Sequence, residues 1–304
     1  MKTNGYFKFG GVRMSIRGNW LLYKTKREPM KRGVAKSFQS PNRREDELAP
    51  AKFDGDLIVK EEPVETGRLV TVSTKTPTTA HLIFLHGGAF TVRGTESHRQ
   101  LIELIVKQTN AKVTYFDFPL APEHTAQETV AFTFDAYLKL IVENPADRFV
   151  LWGDSAGAGL ALVLLAKLRD QQEVLPSTTL LISPWVDLQM ANPELDGLAP
   201  HDPELPIDAL RKSAQQYAGH LALTDPTVSP LYADLTNLGP IDIYYGDTEL
   251  LVPDTKKLID KMHQSAGTTV RSYELKNMMH DYVLWTKLPE TKRTLAKLRS
   301  LLVD

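Results

Sequence analysis

The chain contains no cysteine. Disulfides, a thiol nucleophile and thiolate metal sites are excluded together, so covalent catalysis would have to run through another side chain. A dominant charge is also missing: 36 Lys and Arg stand against 37 Asp and Glu, a formal net charge of −1. With no global positive field and no basic segment interleaved with aromatics, nucleic acid is not an expected partner. Long apolar runs are absent as well. Near the N-terminus the longest is Trp20-Leu21-Leu22-Tyr23. It is far too short for a signal-peptide core or a membrane span, so stable membrane insertion is not expected and a cytoplasmic location is. No internal repeat, heptad pattern or low-complexity tract is visible.

The near-neutral average hides one asymmetry. Residues 1–50 hold 12 Lys and Arg against 4 Asp and Glu, leaving an acidic body behind a basic arm. A solvated or docked arm is the simpler reading of it, attraction to an anionic surface the sharper one.

The 304 residues, 42% of them hydrophobic, suit one large α/β domain carrying an insertion. Two early β-rich runs, 56–60 and 68–73, flank Glu65-Thr66-Gly67 and predict an edge hairpin. Core strands are expected near 82–85, 112–116, 149–152, 179–182, 241–245 and 270–273, alternating with helices near 97–109, 125–142, 156–170, 253–265 and 290–303. That alternation argues for a largely parallel sheet covered on both faces. Residues 186–238 break it. They are rich in proline, hold one helical stretch near 207–221, and read as an inserted cap over the sheet's C-terminal edge, completed by the N-terminal segment.

Chemistry concentrates at Gly153-Asp154-Ser155-Ala156-Gly157, placed between the apolar run 148–152 and the helical run 158–168. Strand, tight turn and helix are the context of a nucleophile elbow, in which flanking glycines relieve clashes and the serine hydroxyl projects from the sheet edge. A serine hydroxyl is a weak nucleophile at neutral pH. It needs a base, an acid to orient that base, and donors for the developing oxyanion. His86-Gly87-Gly88-Ala89, after the strand ending at Leu85, supplies a loop where a carbonyl oxygen can approach the backbone. The expected donors are the N–H groups of Gly87, Gly88 and Ala156, with His86 steadying the loop. His280 follows the last core strand, where the chain order serine, acid, histidine puts the base. The other histidines are read as packed or solvated. For the acid, Gly246-Asp247-Thr248-Glu249 offers two carboxylates, and spacing alone does not choose between them.

These motifs resemble the hormone-sensitive-lipase-like branch of the α/β-hydrolases, the bacterial carboxylesterases with HGGG-type, YRLAPE-type and GDSAG segments. Here those segments read His86-Gly87-Gly88-Ala89, Phe118-Pro119-Leu120-Ala121-Pro122-Glu123 and Gly153 through Gly157. Ser183-Pro184-Trp185, Asp225-Pro226 and Gly246-x-x-Glu249-x-Leu251 add to the match, which spans roughly 80–285. The resemblance implies an α/β-hydrolase fold, with a mostly parallel, eight-stranded sheet and a helical cap. It divides the chain into an arm (1–50), a first core part (51–185), a cap insertion (186–238) and a second core part (239–304). It also implies a serine carboxylesterase acting on short-chain acyl esters, acetyl to hexanoyl, through Ser155, Glu249 and His280. Neither metal nor organic cofactor is needed; the partner is a small-molecule ester, and homo-oligomerisation stays open.

Three positions depart from the family pattern: Glu249 for the usual Asp, Ala89 for the third glycine, and Pro119 for an Arg, which takes away a habitual partner of Asp117 or Glu123. The rival readings are an amidase or peptidase using the same triad, and a non-catalytic small-molecule receptor. Receptors sharing this fold lose the histidine that this chain keeps.

Overall fold

A computed structural model describes residues 30–303 together with Ser15 and Gly18. Most of the basic arm therefore lies outside the described residues. The runs rich in β-branched and aromatic residues form one sheet: β1 (Ile58–Val64), β2 (Gly67–Ser73), β3 (Ala80–Leu85), β4 (Lys112–Asp117), β5 (Arg148–Asp154), β6 (Thr178–Ile182), β7 (Gly239–Gly246) and β8 (Thr268–Leu275). Its order is β1-β2-β4-β3-β5-β6-β7-β8. β1 pairs antiparallel with β2, as the hairpin reading requires, and β2 pairs antiparallel with β4. All remaining neighbours are parallel.

Burial explains the strand composition. Every residue of β3 and of β6 is buried, so neither strand shows the apolar–polar alternation of a half-exposed one. Helices cover both faces: α1 (Met30–Gln39), α2 (Glu96–Thr109), α3 (Ala126–Glu143), α4 (Ala156–Asp170), α5 (Leu195–Leu198), α6 (Ile207–Ala218), α7 (Val252–His263) and α8 (Pro289–Val303). Two apolar clusters result, one on each side of the sheet: Leu151, Leu162 and Ile243 belong to the first, Val150, Trp152 and Leu298 to the second. Helix starts follow local chemistry. Thr125 and Glu128 form a reciprocal capping box at the start of α3, and Thr95 with His98 does the same for α2.

The segment between β6 and β7 carries α5 and α6. Its apolar residues turn inward: Leu205, Leu210 and Tyr217 are buried, and Leu198, Ile207, Leu221 and Leu223 pack against the same cluster. Helix α1 packs on α6, and Lys31 Nζ donates to the carbonyls of Ala199 and Asp202. The two stretches outside the sheet are thus in contact. Among the described residues, no helix is long and apolar enough to cross a membrane.

Candidate active site

The parallel strands end on one edge, and the loops leaving β3, β5, β7 and β8 meet there. Between β5 and α4 the chain turns at Ser155, whose φ of 51° and ψ of −115° lie far from any regular element. Such backbone is costly for a residue with a Cβ, and tight packing around it keeps it in place. A Cβ on Gly157 would lie 2.1 Å from the Leu85 carbonyl oxygen, so only glycine lets α4 press this closely against the end of β3. The serine hydroxyl is held at the rim.

His280 Nε2 lies 2.9 Å from Ser155 Oγ, and its Nδ1 lies 2.5 Å from Glu249 Oε2. In the neutral ring a carboxylate at Nδ1 fixes the proton there, so that Nδ1–H donates to Glu249 and Nε2 is left to accept from the serine O–H. The second oxygen of Glu249 accepts from the Gly246 N–H at 2.9 Å, which locks the carboxyl in the turn after β7. Glu249 is wholly buried. Asp247, the other acid of that turn, faces away: its carboxylate accepts from the Asn277 N–H and pairs with Lys276 at 3.3 Å. The alternative left open by spacing is therefore resolved in position, with Glu249 against the imidazole and Asp247 in the turn.

The loop after β3 corrects one expectation. The Gly87 N–H does not face the serine's reacting side; it donates to Asp154 Oδ2 at 2.8 Å. Asp154 is fully buried and also accepts from His98 Nε2 at 3.1 Å, with the Thr95 N–H on that ring's Nδ1 at 3.0 Å. Burial alone would raise the Asp154 pKa, but His98 and these bonds bring it below the ordinary carboxylate value. Its charge occupies Gly87. Among the described residues, the Gly88, Ala89 and Ala156 N–H groups make no hydrogen bond. Gly88 takes φ +117°, and a Cβ there would meet the Val92 carbonyl oxygen at 2.5 Å. Ala156 is the first residue of α4, where N–H groups have no partner within the helix.

His86 is packed as expected. It stacks on Phe118 at 4.3 Å between ring centres and on Tyr115 at 5.1 Å, while its Nδ1–H donates to the Gly87 carbonyl at 2.6 Å. Burial holds its pKa down at about 4, so the ring stays neutral. The missing arginine at Pro119 is replaced from elsewhere. Arg68 and Arg93 both bond Asp117, and Arg43 bonds Glu123 together with the Ala121 and Thr91 carbonyls. These side chains line an open cleft of about 860 Å³ beyond β4, away from Ser155.

Sequence reading missed two carboxyls beside the Ser155-His280-Glu249 line. Asp281 Oδ2 lies 3.3 Å from His280 Nε2, and Glu204, from the inserted segment, places an oxygen shut off from solvent near the same ring. Asp281 follows the predicted base directly, yet adjacency in sequence does not reveal which way a side chain turns. Asp202 had no signal beyond its neighbours. Its carboxylate accepts from Glu204 N and Leu205 N at 2.7 and 2.8 Å and from Leu250 N at 2.7 Å, joining the insertion to the turn that carries Glu249.

Charge sets the imidazole's state. Burial pulls the His280 pKa down, but the Asp281 charge, the Glu249 bond and charge, and Glu204 together push it up to about 10. Burial raises Glu204 to about 7 and Asp281 well above its ordinary value. Acidic groups around one buried base therefore compete for protons. The Trp185 backbone N–H donates to the Ser155 carbonyl at 3.0 Å; the Trp185 ring lies 6.1 Å from Phe90, which stacks on Tyr217 at 3.6 Å.

Known proteins share this architecture. Residues 82–284 match the family model described as alpha/beta hydrolase fold. An esterase of Acinetobacter venetianus is 36% identical over 220 residues, covering 71% of this chain and 72% of its own. An acetyl-hydrolase of Streptomyces hygroscopicus is 33% identical over 216 residues, 70% of this chain and 72% of its own. Among solved structures, an esterase from the bacterial hormone-sensitive lipase family superposes with a TM-score of 0.78 at 25% identity, covering 93% of this chain and 97% of that one. Sheet order, serine turn and sequence similarity agree: the chain belongs to the α/β-hydrolase family, on its hormone-sensitive-lipase-like branch.

Proposed function

We propose that this protein is a serine carboxylesterase that hydrolyses short-chain acyl esters through an acyl-enzyme on Ser155. The single observation that carries the reading is the continuous line Ser155 Oγ, His280 Nε2, His280 Nδ1, Glu249 Oε2, with links of 2.9 and 2.5 Å. As Oγ attacks the ester carbonyl, Nε2 takes its proton and Glu249 stabilises the imidazolium. The tetrahedral oxyanion is held by the N–H groups of Gly88 and Ala156, with Ala89 in the place expected of Gly87. The helix dipole of α4 adds to that field. Collapse expels the alkoxide, which receives the proton from Nε2. Water then repeats attack and collapse on the acyl-enzyme, releasing the acid.

The insertion and the N-terminal segment serve as a cap. Buried rings at Phe90, Trp185 and Tyr217 close one side of the serine and favour a short acyl chain over a long one. The similar proteins bear esterase and acetyl-hydrolase names, which agrees with this reading. Purified protein is expected to turn over p-nitrophenyl acetate and butyrate faster than octanoate, and Ser155→Ala to lose this activity. Equal hydrolysis by wild type and Ser155→Ala overturns the reading.

A further inference from the structure

Asp281 stands where the mechanism has no use for it. Its Oδ2 is 3.3 Å from His280 Nε2, the atom that hands a proton to the departing alcohol. The residue is 6% exposed, and its Oδ1 has no hydrogen-bond partner among the described residues. A buried carboxyl oxygen without a donor is costly, and such vacancies in native proteins call for an explanation. The backbone pins it there: Asp281 sits at φ 44°, ψ 37°, and its N–H donates to Ser183 Oγ at 3.2 Å. Left-handed backbone at a non-glycine residue persists only where the surroundings over-determine it.

A second acid faces the same ring. Glu204 Oε2 is also closed off and unpartnered, and its charge acts on His280 and on Asp281. Neither carboxyl belongs to the triad. Asp154 and Asp202, the remaining acids whose charge reaches this pair, have bonded carboxylates. Beside the atom that protonates the leaving alcohol, the site therefore holds two carboxyl oxygens without a hydrogen-bond partner among the described residues.

We propose that Asp281, with Glu204 behind it, reads the alcohol half of the substrate, and that the preferred esters are those of polyhydroxy alcohols, whose neighbouring hydroxyl donates to the free Asp281 oxygen. This rests on the esterase reading above and adds the leaving group to it. A plain alkyl alcohol would leave that oxygen desolvated and unbonded, and sites built to bond a hydroxyl discriminate strongly against analogues lacking it.

The test compares 2-hydroxyethyl acetate with propyl acetate, two esters of the same shape that differ by a hydroxyl in place of a methyl. Wild type is expected to favour the hydroxyl ester by about tenfold or more in kcat/KM, the scale of leaving one buried acceptor unsatisfied. In Asp281→Ala and in Asp281→Leu, which both remove the acceptor, the ratio falls toward one; Asp281→Asn, which keeps a carbonyl oxygen, retains part of it, and Glu204→Gln lowers it part of the way. No preference in wild type overturns the proposal. So does an equal loss on both esters in the variants, because it would assign Asp281 to holding His280 instead. Absence of turnover of either ester, with folded protein by circular dichroism, would sink the esterase reading as well, so the two failures are told apart.

Discussion

Glu249 and Asp247 lie two positions apart, and only one reaches the imidazole. Because Glu249 is buried against His280 Nδ1, Glu249→Gln is expected to lower kcat on p-nitrophenyl acetate by about four orders of magnitude, the loss seen when a triad acid becomes an amide and misplaces the tautomer. Asp247→Asn keeps an acceptor for the Asn277 N–H and is expected to stay within a few-fold of wild type. The reverse pattern would move the triad acid. Asp281 acts on the same base through charge. Nε2 must be free of a proton to accept one from Ser155, and a carboxylate 3.3 Å away favours the imidazolium. Removing that charge in Asp281→Asn lowers the His280 pKa, so the acidic limb of the kcat/KM profile is expected to shift to lower pH. An unmoved limb would show that the two groups are not coupled.

At the scale of elements, the insertion is fastened to the catalytic turn by one side chain. Asp202 gathers three backbone N–H groups, two from its own segment and one from Leu250 beside Glu249. Asp202→Ala strands these buried donors and is expected to cost about 2–4 kcal/mol in urea unfolding, with a fall in kcat as the Glu249 turn loosens. Stability loss with kcat unchanged would separate the insertion from the catalytic turn. Strands and helices themselves were legible from residue order: α4 begins at the residue after the serine, and β5 ends at Asp154, as the strand-turn-helix pattern requires. Ser155 and His280 were legible for a related reason, since chain order and the strand before each loop constrain where a side chain can emerge. The choice of Glu249 over Asp247 rested on family likeness rather than on spacing. What escaped were side-chain directions. Nothing in Gly87-Gly88 says that the first N–H turns back to Asp154, and Pro119 gives no hint that Arg68, Arg93 and Arg43 arrive from distant segments.

Across the whole molecule, two buried histidines tie stability to pH. Burial lowers both His81 and His86 to about 4 against an ordinary value near 6.5. Between those values the unfolded chain binds protons that the folded chain refuses, so stability is full above pH 6.5 and is lost as pH falls toward 4. The linkage amounts to roughly 3 kcal/mol for each ring at pH 4. Thermal unfolding is expected at a lower temperature at pH 4.5 than at pH 7, and His86→Phe is expected to flatten that slope. A slope unchanged by the substitution would place the proton uptake elsewhere.

The contact between α1 and α6 bears on how such proteins can be recombined. Lys31 meets the Ala199 and Asp202 carbonyls across more than half the length of the polypeptide. A chimera that borrows residues 186–238 from here without the leading helix would leave those carbonyls facing solvent and an apolar seam on α6 uncovered. Donor and recipient should therefore exchange both pieces as one unit.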